Sequence, residues 1–147
     1  MDEGLVDTNV FVHAFMNDDR TEECVAFLDG VRSGVTRAEI HPLVVHELTY
    51  TFVRYKIFPD RYAISEYIRS VLHCPGITTD VDALERALVR WGQGSGVAFV
   101  DAYLAEIALR DNRPVYTINV RDFAPYGVNT PSPLPPVGWW RCSDGGS

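Results

Sequence analysis

Short apolar runs alternate with longer amphipathic stretches along this chain, and this alternation constrains its fold more than any other feature. The run GLVD precedes TNVFVHAFM, TRAEIH precedes PLVVHELTYTFVRYK, and PVYTI follows GSGVAFVDAYLAEIALRDN. Short apolar runs are typical of strands, whereas apolar residues three and four apart predict helices. Parallel strands need crossover helices between them. The sequence therefore predicts an α/β domain with a central parallel sheet of four to five strands, flanked by helices on both faces.

Further helices are predicted from caps, stops and periodicity. They cover residues 21–34, 60–73 and 80–92, and a short strand is predicted at Ile77-Thr78. The helix over residues 94–112 has the strongest pattern. We expect Ser95 to cap it and Val97, Leu104 and Ala108 to face the core.

The length of 147 residues suits one domain, which we place at residues 1–130, followed by a Pro- and Gly-rich tail at 131–147. No apolar run approaches the roughly 20 residues that a membrane-spanning helix needs, so we expect a cytoplasmic protein that makes no membrane contact. The net charge of −7 excludes a protein that coats nucleic acid through a general positive field. Any binding of nucleic acid must therefore be local.

Acidic residues recur at positions where a parallel sheet would place a functional site. Asp7 ends the first predicted strand, and Asn119 and Asp122 follow PVYTI. Glu47 lies in the opening turns of the helix after the second strand, and Asp101 lies early in the helix that leads into PVYTI. The carboxyl ends of strands and the helix N-termini beside them share one edge of an open sheet. We therefore expect the four acids to converge at that edge.

The position of Asp101 also predicts a bound cation. Asp101 shares the predicted core-facing stripe of its helix with Val97 and Leu104, where a lone carboxylate would be costly. Several carboxylates in one pocket repel one another until a cation binds. The four histidines and three cysteines do not fall at zinc-ligand spacing. Ligation by oxygen alone favours Mg²⁺ or Mn²⁺.

Each acid also has a simpler interpretation when it is considered alone. Asp7 suits a helix N-cap, and Glu47 suits a solvated helix residue. Asp122 suits an ordinary turn, and Asp101 suits a pairing with a buried arginine. The placement of all four on one edge is what favours a shared site.

The segments LVDTNVFV, HELTYTF, FVDAYLAEIAL and YTINVRDF together resemble the PIN-domain nucleases and, within them, the VapC toxins of toxin–antitoxin pairs. The resemblance runs from about residue 4 to about residue 123. By this resemblance Asp7, Glu47 and Asp101 match the three metal-binding acids of the family. Asp122 matches an additional acid after the last motif.

The resemblance also assigns supporting residues. Thr8 and Thr117 match small hydroxyl residues beside the site, whereas Asn119 stands where many members carry aspartate. An amide oxygen is a weaker ligand, so a second metal would bind poorly or only with substrate. Arg121 lies inside the last motif and is our candidate contact to the RNA backbone, although it equally suits a solvated surface arginine.

What the resemblance implies is a Mg²⁺- or Mn²⁺-dependent endoribonuclease that forms a homodimer. It also implies inhibition by a small antitoxin protein whose tail lies in the active-site groove. Neither the dimer nor the antitoxin follows from the spacing of residues in this chain.

Two other functions are compatible with parts of the pattern. A phosphotransferase that works through an aspartyl phosphate would use Asp7 as nucleophile. Such proteins use a lysine near the later strands, but Lys56 lies in a predicted helix of the first half, and Asn9 replaces the second Asp of a DxD motif. A PIN-fold RNA-binding or scaffold protein with weak or no catalysis is favoured by Asn119. The presence of all four acids at one predicted edge argues against this non-catalytic function, because an inactive scaffold gains nothing from carboxylates that repel one another.

Overall fold

The structure is a computed structural model, and it describes residues 3–94 and 96–131. The elements in chain order are β1 (Gly4–Leu5), α1 (Thr8–Met16), α2 (Thr21–Ser33), β2 (Ala38–Glu39), α3 (Pro42–Arg54), α4 (Arg61–Leu72), α5 (Asp82–Gln93), α6 (Phe99–Asp111) and α7 (Val120–Phe123), with a 3-10 turn at Ala124–Tyr126. The described chain is thus a mostly helical α/β structure.

The helices predicted from the sequence are present, and local signals explain their ends. Pro42 is the first residue of α3, where its missing N–H costs nothing. The Asp60 side chain accepts a hydrogen bond from the Ala63 N–H and so caps α4. Gly34 ends α2 in the left-handed conformation, with φ of 84°. The predicted cap Ser95 lies outside the described residues, and α6 begins at Phe99 after Ala98.

The two strands pair in parallel, with Gly4 opposite Ala38 and Leu5 opposite Glu39. Ile77 adds a single parallel bridge to Ala38, at the place where a short strand was predicted. Gly76 permits this approach, because a Cβ there would lie 2.1 Å from the Thr36 carbonyl oxygen. The predicted sheet of four to five strands is not found in the described part of the chain.

The segment PVYTI, predicted as a buried strand, is the clearest departure from the sequence prediction. Residues 114–118 form no strand in the structure, and the side chains of Tyr116 and Ile118 are 68% and 85% exposed. The single backbone bond described for this stretch joins the Val115 N–H to the Asn129 carbonyl. An apolar run becomes a strand only where a neighbouring strand accepts its hydrogen bonds, and this segment does not pair with β1.

The core lies between the helices. α5 packs against both α4 and α6, and α1 packs against α2 and α3. The α3 face that enters the core carries Val45, Leu48, Thr49 and Phe52. The ring of Phe52 meets those of Phe15, Phe58 and Tyr67 at centroid distances of 5.8, 5.2 and 5.8 Å.

Beyond PVYTI the described chain contains one further turn. Residues 124–126 form a 3-10 turn, and Tyr126 is buried against Phe123. The predicted tail at 131–147 falls outside the described residues except for Pro131. None of the helices in residues 3–94 and 96–131 has the length and apolarity to cross a membrane.

Candidate metal-binding site

Asp7 lies where β1 passes into α1. It occupies the N-cap position in an extended conformation, but its side chain makes no capping hydrogen bond. The backbone carbonyl of Asp7, not the carboxylate, accepts from the Val10 N–H. The carboxylate is exposed and free of a structural role, so capping alone does not account for an aspartate here.

Glu47 is joined to this corner through Thr8. The buried Thr8 hydroxyl donates to Oε2 of Glu47 at 3.0 Å across the packed α1 and α3 helices. The rest of the Glu47 side chain is exposed. Because Thr8 directly follows Asp7, this hydrogen bond links the Glu47 carboxylate to the residue next to Asp7.

Asp101 and Asp122 form a second acidic group. Asp101 lies in the first turn of α6 and is half-buried, and Asp122 lies in α7. Burial raises the pKa of Asp101, and the negative charge of Asp122 raises it further. The two carboxylates are thus close enough to repel each other.

The 117–122 turn carries the remaining predicted residues. The Asn119 N–H donates to the Thr117 hydroxyl at 2.9 Å, and the Asp122 N–H donates to the Asn119 carbonyl at 3.0 Å. The side chains of Asn119 and Arg121 are exposed, and Arg121 forms no ion pair with another described residue. Asn119 and Asp122 therefore lie on the same short, exposed turn.

The structure brings the predicted acids together in two groups. One consists of Asp7 with Glu47 through Thr8, and the other of Asp101 with Asp122. Within the described residues, no three His, Cys, Asp or Glu side chains lie close enough to hold one metal ion. Repulsion between carboxylates opposes closer approach.

On α6 the buried carboxylate is that of Glu106 and not, as the predicted core-facing stripe implied, that of Asp101. Leu104 is exposed, Asp101 is only half-buried, and the fully buried acid on α6 is Glu106. Its two oxygens accept from Nε of Arg86 at 2.9 Å and from Nε of Arg90 at 2.8 Å. A buried carboxylate is thus stabilised here by arginines. Arg86 and Arg90, one helical turn apart on α5, were the sequence signal for such a partner.

The available donors nevertheless fit a hard divalent cation. They are carboxylate oxygens, supplemented by the Asn119 amide and by the Thr8 and Thr117 hydroxyls, and such oxygen donors suit Mg²⁺ or Mn²⁺. A positive charge beside Asp101 and Asp122 would offset the repulsion between their carboxylates.

The family model described as PIN domain matches residues 4–123. That range contains Asp7, Glu47, Asp101 and Asp122 together with Thr8, Thr117, Asn119 and Arg121. No curated protein matches the chain.

Proposed function

This chain belongs to the PIN-domain family, and from that premise we propose that it is a Mg²⁺- or Mn²⁺-dependent endoribonuclease. PIN domains are generally metal-dependent nucleases, which supports a hydrolase. The observation that carries the proposal is that the matched range contains both acidic groups described above, one of them tied to the core through Thr8.

Each residue has a defined part in this proposal. When bound, the cation would lower the pKa of a water molecule and neutralise phosphate charge. Its carboxylate ligands would come from the Asp101–Asp122 group and from the Asp7–Glu47 group, and Thr8 keeps the Glu47 carboxylate oriented. Asn119 would contribute a weaker, neutral ligand. Arg121, exposed beside Asp122, would donate to a phosphate oxygen of the RNA.

Within the family we propose a VapC-type toxin that acts in the cytoplasm as a homodimer and is inhibited by a small antitoxin protein. This part rests on the resemblance of the four motifs. A small open reading frame directly upstream, whose product co-purifies with the chain and suppresses cleavage, would support it. A housekeeping nuclease would lack such a partner.

The second candidate is a PIN-fold RNA-binding protein with little or no catalysis. Asn119 at a ligand position and the separation of the acids into two groups favour it. It predicts RNA binding without cleavage in any divalent cation.

The decisive experiment compares cleavage of a single-stranded RNA by the wild type, Asp7→Asn and Asp101→Asn, with Mg²⁺ or Mn²⁺ and with a chelator. Removing a group that orients a metal ligand typically costs about 10- to 100-fold in activity. Removing a ligand should therefore cost about 100-fold or more. The matched control is Asp19→Asn, an exposed aspartate without a described side-chain partner, which should cleave like the wild type. Undiminished cleavage in chelator by the wild type and both variants would contradict a metal-dependent mechanism.

Metal binding can be measured separately by thermal unfolding. A cation that binds only the folded chain raises its apparent stability. We expect Mn²⁺ to raise the Tm of the wild type and of Asp19→Asn, and to raise that of Asp101→Asn much less. Equal shifts in all three proteins would mean that the cation binds elsewhere.

A further inference from the structure

Helix α6 carries apolar residues on two opposite sides. Its core side carries the buried Phe99 and Ala102. The opposite side carries Val100, Leu104 and Ile107, which share one stripe because residues three and four apart lie on the same side of a helix. Val100 and Leu104 are 44% and 46% exposed. A helix that is apolar all round is typical of an element covered on all sides. The second side of α6 thus has the composition of a covered surface.

A cavity of about 420 Å³ adjoins this second side of α6. Its lining includes Leu104, Ile107, Val115 and Tyr116, which we call the outer face, together with Arg113. The ring of Tyr116 is 68% exposed. The volume falls within the roughly 300–1,000 Å³ of pockets that hold compact ligands. The outer face can therefore receive a large apolar group.

Arg113 gives this cavity a preference for an aromatic group. Its side chain is exposed and forms no ion pair with another described residue. A guanidinium is attracted to the face of an aromatic ring, and most strongly to that of tryptophan. An apolar lining with one unpaired guanidinium therefore suits an indole ring.

The chain leaves the described part of the structure beside this cavity. The Asn129 carbonyl accepts a hydrogen bond from the Val115 N–H at 2.8 Å. The described residues end at Pro131, which lies at most about 7 Å from Asn129. Trp139 follows Pro131 by eight positions, a length of chain that spans up to about 26 Å. Residues 132–147 are therefore long enough to reach the outer face.

The segment 132–147 contains the groups that such a cavity would receive. Trp139 and Trp140 are two of the three tryptophans in the chain. Each tryptophan buries about 150–250 Å² when it packs, so the pair gains more from a covering surface than any other part of the segment. Arg141 and Asp144 are its only charged residues, and their charges cancel. No net charge opposes the approach of the segment to the outer face.

We propose that residues 132–147 fold back on the chain and that Trp139 and Trp140 cover the outer face beside Arg113. The connection through Pro131 favours this segment over a free partner, because a short linker holds a tethered group at an effective concentration near millimolar. The inference goes beyond the proposed ribonuclease function. Its tests use neither metal nor RNA, so a failure of either proposal leaves the other standing.

Indole fluorescence tests the contact in the intact chain. Trp91 is buried in the core, so the difference between the wild type and Trp139→Phe/Trp140→Phe isolates the emission of the pair. We expect this emission to be blue-shifted and protected from quenching by acrylamide. An emission maximum and a quenching constant equal to those in concentrated urea would overturn the proposal.

The outer face is tested by removing its exposed side chains. Leu104→Ala/Tyr116→Ala should shift the emission of the tryptophan pair to the red and raise its quenching constant towards the value in urea. The matched control is Leu43→Ala/Tyr62→Ala, which removes a leucine that is 71% exposed and a tyrosine that is 55% exposed, neither of them lining the cavity. The control should keep the emission of the wild type. Identical emission from the two double variants would rule out the outer face as the docking surface.

The contact with the guanidinium has its own pair of variants. Arg113→Gln should reduce the protection of the tryptophan pair, since a neutral amide does not replace the attraction of a cation to an indole ring. Arg54→Gln removes another arginine that forms no ion pair with a described residue, and it should leave the protection unchanged. Full protection in Arg113→Gln would overturn the placement of the pair beside Arg113.

A double-mutant cycle separates direct contact from an indirect effect. Residues in contact lose the same interaction, so their substitutions are not additive. Trp139→Ala/Trp140→Ala combined with Leu104→Ala should shift the urea midpoint by less than the sum of the separate shifts. The same tryptophan variant combined with Leu43→Ala should give the sum. Additive shifts in the Leu104 cycle would contradict direct contact.

The alternative occupant of the outer face is a second copy of this chain. Docking within one chain predicts that the protection from acrylamide does not change with protein concentration. Light scattering on the same samples gives the mass of the species. Protection that is present only in a dimer and is lost on dilution would overturn the assignment to residues 132–147. Protection that persists in the monomer supports it.

Discussion

Asp7 and Glu47 come from helices that pack directly on the core, whereas Asn119 and Asp122 come from a segment whose apolar side chains face solvent. The first group is joined by a buried hydroxyl across two helices. The second lies on the 117–122 turn, next to the exposed Tyr116 and Ile118, and is held mainly by hydrogen bonds within the turn. Tertiary packing therefore positions Asp7 and Glu47, whereas local backbone geometry largely positions Asn119 and Asp122.

This difference means that the two groups should respond differently to substitution, pH and binding. Regions with few buried apolar contacts open at a lower free-energy cost than the core. The 114–122 segment is accordingly the part of the site that a ligand could reposition most easily. The Asp7–Glu47 corner should behave as a rigid reference.

The largest expected contrast is in stability. Phe52→Ala removes a fully buried ring from the aromatic cluster of the core and should lower the free energy of unfolding by about 3–5 kcal/mol. Ile118→Ala should change it by less than about 0.5 kcal/mol, because the side chain is exposed. Urea unfolding measures the free energy of unfolding of both variants. A comparable loss in Ile118→Ala would show that residues 114–118 are packed in solution, as the sequence predicts.

A smaller contrast is expected between the two threonines. Thr8→Val removes the donor to Glu47 and should cost about 1 kcal/mol of stability. It should also cost about tenfold in cleavage, as loss of a ligand-orienting group does. Thr117→Val removes only the acceptor for the Asn119 N–H on the exposed turn, and should cost under about 0.5 kcal/mol.

Thr8→Ser is the control for that comparison, because it keeps the hydroxyl and should retain most of the activity. Equal losses of cleavage in Thr8→Val and Thr8→Ser would assign the effect to packing of the methyl group rather than to the hydrogen bond.

The smallest contrast is in pH dependence, where Glu85 on α5 and Asp101 on α6 have pKa shifts of opposite sign. Burial alone would raise the pKa of Glu85, but hydrogen bonds from Arg69 and His73 lower it below its usual value. The stability that this group contributes is present above the unfolded-state pKa and is lost as pH falls through the folded-state pKa. Glu85→Gln should remove this acid-sensitive part, which we expect to be less than about 1 kcal/mol in a partly exposed ion pair.

Asp101 should show the reverse behaviour in chelator. Its pKa is raised by burial and by Asp122, so ionised Asp101 opposes folding at neutral pH. That penalty disappears as pH falls from above the folded-state pKa to below the unfolded-state value. Asp101→Asn should therefore be at least as stable as the wild type at pH 7. Urea unfolding between about pH 7 and pH 3 measures both signs, and a loss of stability in Asp101→Asn at pH 7 would contradict the assigned pKa.

Much of the helical structure could be predicted from the sequence, because helices are stabilised by neighbours in the chain. Pro42, Asp60 and Gly34 act within one turn of their own positions, so the helix ends they define are visible without the fold. Strand formation was less predictable. Residues 114–118 have the composition of a strand but lack a pairing partner in the structure, and the pairing depends on distant residues.

The candidate site likewise has features that the sequence predicts and features that it does not. Its residue types, their order along the chain and their position inside the matched family range could be predicted from the motifs. The Thr8–Glu47 bond and the Arg86 and Arg90 partners of Glu106 could not. Each of these contacts joins residues that are far apart in sequence.

The sequence by itself determined where the helices lie, which acids are available and that any attraction for a polyanion must be local. Periodicity, capping and net charge are properties of neighbouring residues or of the whole composition, so they do not depend on the fold. Only the tertiary structure decided which carboxylate is buried and which arginines of the described residues are paired with it. Burial and ion pairing are set by contacts between distant segments, and the packing of the helices determines those contacts.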